Sequence, residues 1–533
     1  MGVGTTATLA TTEELRRAVA ERDQTIASLQ QTIASLRKDV SVLTDELKLF
    51  KDRLFGRKAD RWSAEDKEQG RLFNEAEAGA QEVPAAEPIM VAAHERRRPI
   101  RRPLPASLPR EVVIHDIPEE QKRCACGATL QKIGEEVSEK LDIIPPTVKV
   151  IRHVRPKYAC RSCQGVETEG GAVKIAPPPP QMVPKGIASE GLLAYLLVGK
   201  FADALPFYRQ SRIFTRLGVD IPRSTMCGWA IEVGQRLEPL LELMKRQICA
   251  GPIVQIDETT VQVLAEPGRP ATSKSYLWLF CGGDLQKPSL VYRYEPTRSG
   301  AVPLEFLGGY RGYVQTDAFS GYEELGRQPG IIGVGCWAHA RRRFVEVTKV
   351  SRAGGSAAHQ ALEFIGRLYA VEHAAEDRGV TAEELTRLRQ QQSLPVLKEF
   401  RLWLQKLAAD TPPEGLLGKA VAFTLNDWQR LERYVLDGRL DPDNNRAENA
   451  LRPFVVGRKN WLFSGTPAGA NASAAIYSMI ETAKACGHEP YWYLRYLFER
   501  LPLATAEADF LALLPQQVAP SATGSPKAAK AVP

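Results

Sequence analysis

An apolar repeat of seven residues runs through the first part of the chain. No Gly or Pro interrupts residues 13–55, so the pattern predicts one continuous helix. β-Branched residues at one core position and Leu at the other favour a parallel two-stranded coiled coil. An amphipathic helix packed on its own globular domain is the alternative. The first core position holds Val19, Ile26, Ile33, Val40, Leu47 and Leu54, and the second holds Leu15, Leu29, Leu36, Leu43 and Phe50, with Arg22 as an interruption.

Shorter apolar runs in the middle of the chain predict a sheet. They are rich in β-branched and aromatic residues and are bounded by Gly or Pro, as buried strands are. Apolar residues occur at helical spacing in residues 186–245 and 355–437, which indicates helices before and after the strands in the sequence. The strand-like runs are residues 252–256, 276–280, 290–294, 312–316 and 331–336.

Within the first helical region, the sequence predicts a helix-turn-helix. One helix should end near Gly218, and a second should start after Pro222 with Ser224 nearby. Arg223 and Ser224 would then open the recognition helix, where contacts to bases or phosphates are made. Plain helical packing is the alternative.

Four cysteines in two close pairs predict a zinc site. Paired cysteines in a cytoplasmic protein more often bind metal than form disulfides, and four thiolates suit one tetrahedral Zn²⁺. Residues 148–154 between the pairs alternate like a strand and contain His153, an alternative ligand. The pairs are Cys124 with Cys126 and Cys160 with Cys163.

Composition and charge fit a protein that acts on nucleic acid. The 533 residues leave room for several domains, and no apolar run approaches the roughly 18 residues of a membrane span. No secretory signal is visible at the amino terminus, so we expect a cytoplasmic protein without a membrane partner. The net charge is +7. A Pro-rich stretch concentrates Arg97, Arg98, Arg101 and Arg102, a density that can neutralise DNA phosphates; a solvated linker is the alternative.

Three acidic residues are candidate metal ligands. Asp257 and Asp317 each follow a strand-like run, and Glu448 lies in a helix-like stretch. Carboxylates brought together from strand ends and a covering helix could hold two divalent cations that act on a phosphodiester. Hard oxygen ligands suit Mg²⁺, or Mn²⁺ in its place. Glu258 is an alternative to Asp257, because adjacent side chains on a strand point to opposite faces.

The sequence motifs around these acids resemble those of a known protein family. Gln255-Ile256-Asp257-Glu258-Thr259, Gln315-Thr316-Asp317-Ala318-Phe319, Cys336-Trp337-Ala338-His339-Ala340-Arg341-Arg342-Arg343, Asn445-Arg446-Ala447-Glu448-Asn449 and Gly457-Arg458-Lys459-Asn460-Trp461 occur in that order. Together they closely resemble the large transposase of the insertion-sequence-sixty-six family. The resemblance implies a ribonuclease-H-like fold, an Asp-Asp-Glu triad at Asp257, Asp317 and Glu448, and a zinc finger for transposon ends.

Further residues of these sequence motifs are candidates for contacts with substrate. His339 and Arg342 could orient water or bind phosphate, although His339 could equally be a packed helix residue. Arg458, Lys459 and Trp461 combine charge with an aromatic ring, which suits a DNA strand. Packing of Trp461 in the core is the alternative.

These observations predict a multidomain α/β protein with a ribonuclease-H-like catalytic core. We expect a bacterial, nucleoid-associated DNA transposase that binds transposon-end and target DNA as a homodimer or higher oligomer, with small accessory proteins of the same element as further partners. A catalytically inactive, transposase-derived repressor or architectural protein is the alternative. The expected segments are a coiled coil (1–62), a basic Pro-rich linker (63–110), a zinc module (111–180), a helix-turn-helix region (181–249), the core (250–350 and 441–480), a helical insertion (351–440), C-terminal helices (481–515) and a disordered tail (516–533).

Overall fold

The computed structural model describes residues 12–55, 111–114, 138, 140, 147–159, 173–350 and 356–524. The chain divides into two compact units, one formed by residues 1–82 together with 157–533 and the other by residues 83–156. All helices and strands named below belong to the first unit. The four cysteines of the predicted zinc site and the Arg97–Arg102 cluster lie outside the described residues.

Helix α1 spans Thr12–Phe55, as the heptad repeat predicts. Its core-position side chains between Val19 and Leu47 are 46–64 % exposed. In a single chain, the apolar face of this part of α1 is therefore open to solvent.

The alternating pattern at residues 148–154 does not form a strand. Residues 147–156 have no regular secondary structure, and Val150 is 93 % exposed. Alternation stabilises a strand only where a neighbouring strand pairs with it. A two-stranded antiparallel ribbon follows instead, made of β1 (Lys157–Ala159) and β2 (Val173–Ile175).

Four helices lie between residue 190 and the sheet: α2 (Glu190–Phe201), α3 (Phe207–Arg216), α4 (Arg223–Arg236) and α5 (Glu238–Ala250). Helix α3 ends just before Gly218, whose φ of +82° is readily adopted by glycine. Helix α4 begins directly after Pro222, since proline fixes a φ suited to a helix start. The two helices predicted from this segment are therefore present.

A mixed five-stranded sheet lies in the middle of the chain, in the order β5-β4-β3-β6-β7. Strand β3 pairs antiparallel with β4 and parallel with β6, while β4–β5 is antiparallel and β6–β7 is parallel. The strands are β3 (Ile253–Gln262), β4 (Lys274–Gly283), β5 (Pro288–Glu295), β6 (Gly312–Gln315) and β7 (Ile331–Val334). Strand β3 is longer than its apolar run because its second half keeps pairing with β4, so Asp257 lies in mid-strand.

Helices separate β7 from the segment that carries Glu448. After two short helices, α6 (Ala301–Phe306) and α7 (Glu323–Gly326), helix α8 (Trp337–Val350) follows β7. Trp337, Phe400 and Trp428 pack together in a hydrophobic core shared by α8 and the helices that follow it. Those helices are α9 (Ala357–Arg378), α10 (Ala382–Leu388), α11 (Leu394–Asp410), α12 (Leu416–Asn426) and α13 (Trp428–Leu431).

The chain then returns to the sheet through α14 (Asn445–Trp461) and α15 (Pro467–Ala485). Helix α15 covers β5, where the Ser478 and Thr482 hydroxyls accept hydrogen bonds from strand amides at 2.8 and 3.0 Å. Helices α16 (Pro490–Arg500) and α17 (Glu507–Ala512) follow.

The start of the predicted disordered tail is part of the fold. Val518 is only 5 % exposed and packs in the large core, and a 3₁₀ turn spans Pro520–Thr523. The sequence interpretation was wrong for this stretch because its Pro- and Ala-rich composition hides one apolar anchor. Among the helices within the described ranges, none is both long and apolar enough to cross a lipid bilayer.

Candidate active site

The register of the two central parallel strands places Asp257 and Asp317 at the same level. Residues 253–255 of β3 pair in order with residues 313–315 of β6. Each aspartate lies two residues beyond the last pair, Gln255 with Gln315. The side-chain amide Nε2 of Gln255 donates to Oε1 of Gln315 at 2.8 Å, so the two glutamine side chains face the same side of the sheet. Because side chains alternate along a strand, Asp257 follows Gln255 on that side, and the charge of Asp317, just beyond the end of β6, acts on Asp257.

Glu448 approaches from the first turn of α14, and its side chain is 6 % exposed. The helix is anchored to β3 at both ends. Near its start, the buried Asn444 amide donates to the carbonyl of Ile256 at 2.9 Å. Near its end, Arg458 donates to the Thr260 hydroxyl at 3.0 Å. These contacts hold the glutamate over the strand that carries Asp257.

The charges of these acids act on one another. The pKa of Asp257 is raised well above its usual value, first by burial and then by the charges of Glu258, Glu448 and Asp317. A hydrogen bond from the Glu258 amide to Asp257 Oδ1, 2.9 Å long, opposes the shift. The three predicted ligands therefore form one electrostatic cluster, and ionisation of Asp257 within it is unfavourable.

Glu258, the alternative to Asp257, is engaged by other groups. One of its oxygens accepts from Arg298 Nε at 2.6 Å, and the other accepts from the Tyr322 hydroxyl. The Arg298 guanidinium also lies 3.7 Å from the centre of the Phe319 ring. Sequence reasoning missed Arg298 and Tyr322, since nothing local marks them as neighbours of an acid 40 or 64 residues away.

Helix α8 presents polar groups to Glu448. His339 Nδ1 lies 3.4 Å from Glu448 Oε1, and Arg342 Nη2 lies 3.4 Å from Oε2. Cys336, just before the helix, places its sulfur 3.9 Å from Oε1. The donor atoms of Cys336, His339 and Glu448 lie within 4.8 Å of one another. This mixed set could hold a softer metal than three carboxylates would. Cys336 was missed although it stands three residues before His339.

The helices between β7 and α14 also reach the site. Arg430 Nη2 donates to the Thr316 hydroxyl at 2.6 Å and to the Asp317 carbonyl at 3.0 Å. Its other terminal nitrogen donates to Asp427 at 3.0 Å. The guanidinium thus holds the backbone that carries Asp317, and the Asp317 side chain accepts from the Phe319 amide at 3.0 Å.

The residues predicted to contact DNA have different environments. Arg223, Ser224 and Lys459 are exposed. Arg458 is instead tied to β3, where burial lowers its pKa. Trp461 is partly buried against the core, with its ring edge-to-face to Phe201 at 6.4 Å between centres. For Arg458 and Trp461, the structure thus agrees with a packing role.

Comparison with known protein families gives matches along most of the chain. The Transposase IS66 family matches residues 185–472, a span that contains all three acids. A zinc-finger binding domain of transposase IS66 matches residues 121–164 and supports a structural zinc there. The IS66 C-terminal element matches residues 478–516, and the family described as Transposase C of IS166 homeodomain matches residues 42–113.

Two relatives from Sinorhizobium fredii (strain NBRC 101917 / NGR234) span most of the chain. Uncharacterized protein y4jD is 34 % identical over 410 residues, which cover 75 % of this chain and 78 % of the relative. Uncharacterized protein y4qI is 32 % identical over 482 residues, which cover 87 % and 86 %. With the family match over residues 185–472, they show that the chain belongs to the IS66 transposase family.

Proposed function

We propose that this protein is an active DNA transposase that binds transposon ends and catalyses metal-dependent cleavage and strand transfer. Asp257, Asp317 and Glu448 form its catalytic triad. The observation that supports this most is the equal level of Asp257 on β3 and Asp317 just beyond the end of β6, with Glu448 held over β3 by α14. Carboxylates gathered from three elements far apart in sequence are expected of a metal-dependent phosphodiester site.

The proposed fold of the catalytic core is ribonuclease-H-like. Three antiparallel strands, β3 to β5, are joined to two strands that run parallel to β3. The helices α9 to α13 enter between β7 and α14, so they form an insertion that separates Asp317 from Glu448. This arrangement supports the fold that the family resemblance implies.

The donor set fits hard divalent cations. All three side chains offer carboxylate oxygens, which Mg²⁺ and Mn²⁺ prefer. Asp257 has a raised pKa because it is buried and because negative charges surround it, and a bound cation would offset the part due to these charges. We propose that the three acids hold two such ions. Held by Asp257, Asp317 and Glu448, such ions would supply activation of the attacking oxygen and stabilisation of the leaving oxygen in hydrolysis and in strand transfer.

The neighbouring side chains keep the three acids in place. His339 and Arg342 reach the two oxygens of Glu448 from α8, and so they fix its rotamer. Arg430 holds the backbone at Asp317. Arg298 and Tyr322 occupy Glu258, which leaves Asp257 as the available acid on β3.

Elements outside the catalytic core supply binding and assembly. Cys124, Cys126, Cys160 and Cys163 are the proposed ligands of the zinc that shapes the end-binding module. Exposed Arg223 and Ser224 at the start of α4 are proposed contacts to DNA. The apolar face of α1 would pair with a second copy of the chain, so that two transposon ends are held in one complex.

A strand-transfer assay with the purified full chain tests this proposal. We expect joining of a linear transposon end to target DNA with Mg²⁺ or Mn²⁺, and none without an added divalent cation. Omitting the cation is preferable to chelation, because a chelator would also remove structural zinc. End binding without cleavage or joining under any of these conditions would instead support the inactive repressor.

A further inference from the structure

We propose that Leu462 and Phe463 form an apolar wedge that inserts between base pairs of transposon-end DNA and unstacks them. The proposal rests on the proposed function, since it requires that the protein binds end DNA. The two residues follow α14 directly and are 64 % and 43 % exposed. Proteins that kink or open a duplex commonly insert Leu, Phe and similar side chains between base steps.

Exposure alone would not distinguish these residues, because isolated apolar side chains are common on protein surfaces. The backbone of Leu462 does. It has φ +69° and ψ −48°, and the Phe463 amide donates to the Trp461 carbonyl at 2.8 Å. This is a γ-turn of the rare, strained hand, at a residue whose Cβ makes the conformation unfavourable.

The strain is maintained by rigid surroundings. After the turn, the Ser464 amide donates to Gln262 O at 2.9 Å, and the Leu264 amide donates to Ser464 O at 3.0 Å. Just before the turn, the side-chain amide of Asn460 donates at 2.9 Å to the backbone carbonyl of Ala204. Ala204 also has a positive φ, of +54°. In the described part of the chain, only three non-glycine residues have positive φ, and one of the other two, Ala204, is hydrogen-bonded to Asn460, two residues before Leu462. Such strain persists where the structure over-determines it, often at binding sites.

The surroundings favour DNA as the partner. Lys459 is exposed one helical turn before the wedge. Lys200 Nζ lies 5.1 Å from the Trp461 ring centre and 4.6 Å from that of Phe207, the first residue of α3. Trp461, the residue before the wedge, therefore lies near the start of α3, a helix that exposes Arg209 and Arg212. Positive charge in the neighbourhood of an apolar tip suits the phosphates that flank an opened base step.

Helix α14 sets the distance between the wedge and the catalytic residue Glu448. Leu462 follows Glu448 by 14 residues, and a helix of that length spans about 21 Å. This corresponds to roughly six base pairs of duplex DNA. We therefore expect unstacking about that far from the cleaved phosphodiester.

Fluorescence of 2-aminopurine in end DNA tests the proposal. The base is placed singly at each of the terminal positions, in buffer without Mg²⁺ or Mn²⁺ so that no cleavage occurs. We expect wild type to raise the fluorescence several-fold at one or two adjacent positions. Leu462→Gly and Phe463→Ser should lose this rise, whereas Leu402→Ser, at a 69 % exposed leucine of α11, should keep it.

The glycine variant separates a wedge from a structural role. Glycine adopts positive φ without penalty, and Leu462 buries little, so Leu462→Gly should have a Tm no lower than wild type. Equal fluorescence rises in wild type and both variants would overturn the proposal. So would end cleavage by wild type without any rise, a result that would leave the proposed function intact. A loss of oligomer mass in Leu462→Gly or Phe463→Ser would assign these residues to a protein contact instead.

Discussion

Among the proposed metal ligands, Asp257 carries a clear electrostatic penalty on its charge. Burial disfavours its charged form most, and the charges of Glu258, Glu448 and Asp317 add to the penalty. A carboxyl group that ionises at a higher pH in the folded than in the unfolded protein stabilises the fold only at low pH. That contribution is lost as the pH rises from about 4 through the raised pKa.

The first prediction concerns this charge. Without Mg²⁺ or Mn²⁺, Asp257→Asn should unfold at a higher temperature than wild type at neutral pH, with a gain on the order of 1 kcal/mol. The gain should shrink as the pH falls towards 4. Added Mg²⁺ should raise the Tm of wild type more than that of the variant, because the variant lacks the charge that the ion neutralises. Thermal unfolding monitored by circular dichroism measures all three effects.

Substitution of Asp437 provides a control for which the expected change in Tm has the opposite sign. The Arg439 side chain donates hydrogen bonds of 2.7–3.2 Å to both of its carboxylate oxygens and thereby lowers its pKa, and the Arg439 backbone amide donates a further one at 2.9 Å. Asp437→Asn should therefore lower the Tm slightly at neutral pH. An Asp257→Asn variant less stable than wild type throughout the pH range would contradict our view of the charge cluster.

At the scale of helices and strands, the position of Glu448 depends on contacts that no local pattern reveals. Apolar runs indicated all five strands of the sheet, because buried strands need β-branched and aromatic side chains on both faces. Their pairing order was not accessible in the same way. The hydrogen bond from Asn444 to Ile256 joins residues 188 apart, and that from Arg430 to Asp317 joins residues 113 apart. Periodicity reports local conformation, whereas these contacts depend on the assembled fold.

The sequence motifs shared with the family indicated that Asp257, Asp317, Glu448 and His339 are neighbours, and the structure brings them together. The same motifs suggested Arg458 and Trp461 for DNA, and both are engaged within the protein. Charge and aromaticity do not distinguish a DNA contact from a packed helix end, because Arg458 finds hydrogen-bond partners on β3 as readily as it would on phosphate.

A close helix contact gives the second prediction. Gly234 of α4 faces Ala472 of α15, and a Cβ added at Gly234 would lie 2.6 Å from the Ala472 Cα. Gly234→Ala should force the helices apart and destabilise the fold by about 1–3 kcal/mol. Gly228 on the same helix has open space around it, so Gly228→Ala should stabilise by up to about 1 kcal/mol. Tm shifts of the same sign in both variants would contradict this packing.

At the scale of the whole molecule, α1 carries an apolar face without cover in one chain. Its core-position residues between Val19 and Leu47 are about half exposed, and β-branched and Leu positions alternate as in a parallel dimer. Pairing would bury this face and bring two catalytic cores into one complex. A transposase that acts on two ends requires such an assembly.

The third prediction is that α1 sets the oligomeric state. By light scattering, the full chain should have at least twice the mass of one chain. Leu29→Asp combined with Leu36→Asp should reduce it, because buried charges at core positions oppose pairing. Gln31→Asp, two residues after Leu29 but outside the core positions, should not. An unchanged mass in the double variant would show that other surfaces hold the oligomer together.

The central claim is that Asp257, Asp317 and Glu448 perform the chemistry, and cleavage with end binding on one linear substrate tests it most directly. We predict that Asp257→Asn, Asp317→Asn and Glu448→Gln each abolish cleavage in Mg²⁺ while their gel shifts stay near wild type. Glu258→Gln should still cleave, because Arg298 and Tyr322 already occupy that carboxylate. Near-normal cleavage by Asp257→Asn together with its loss in Glu258→Gln would contradict the assignment and make Glu258 the acid of β3.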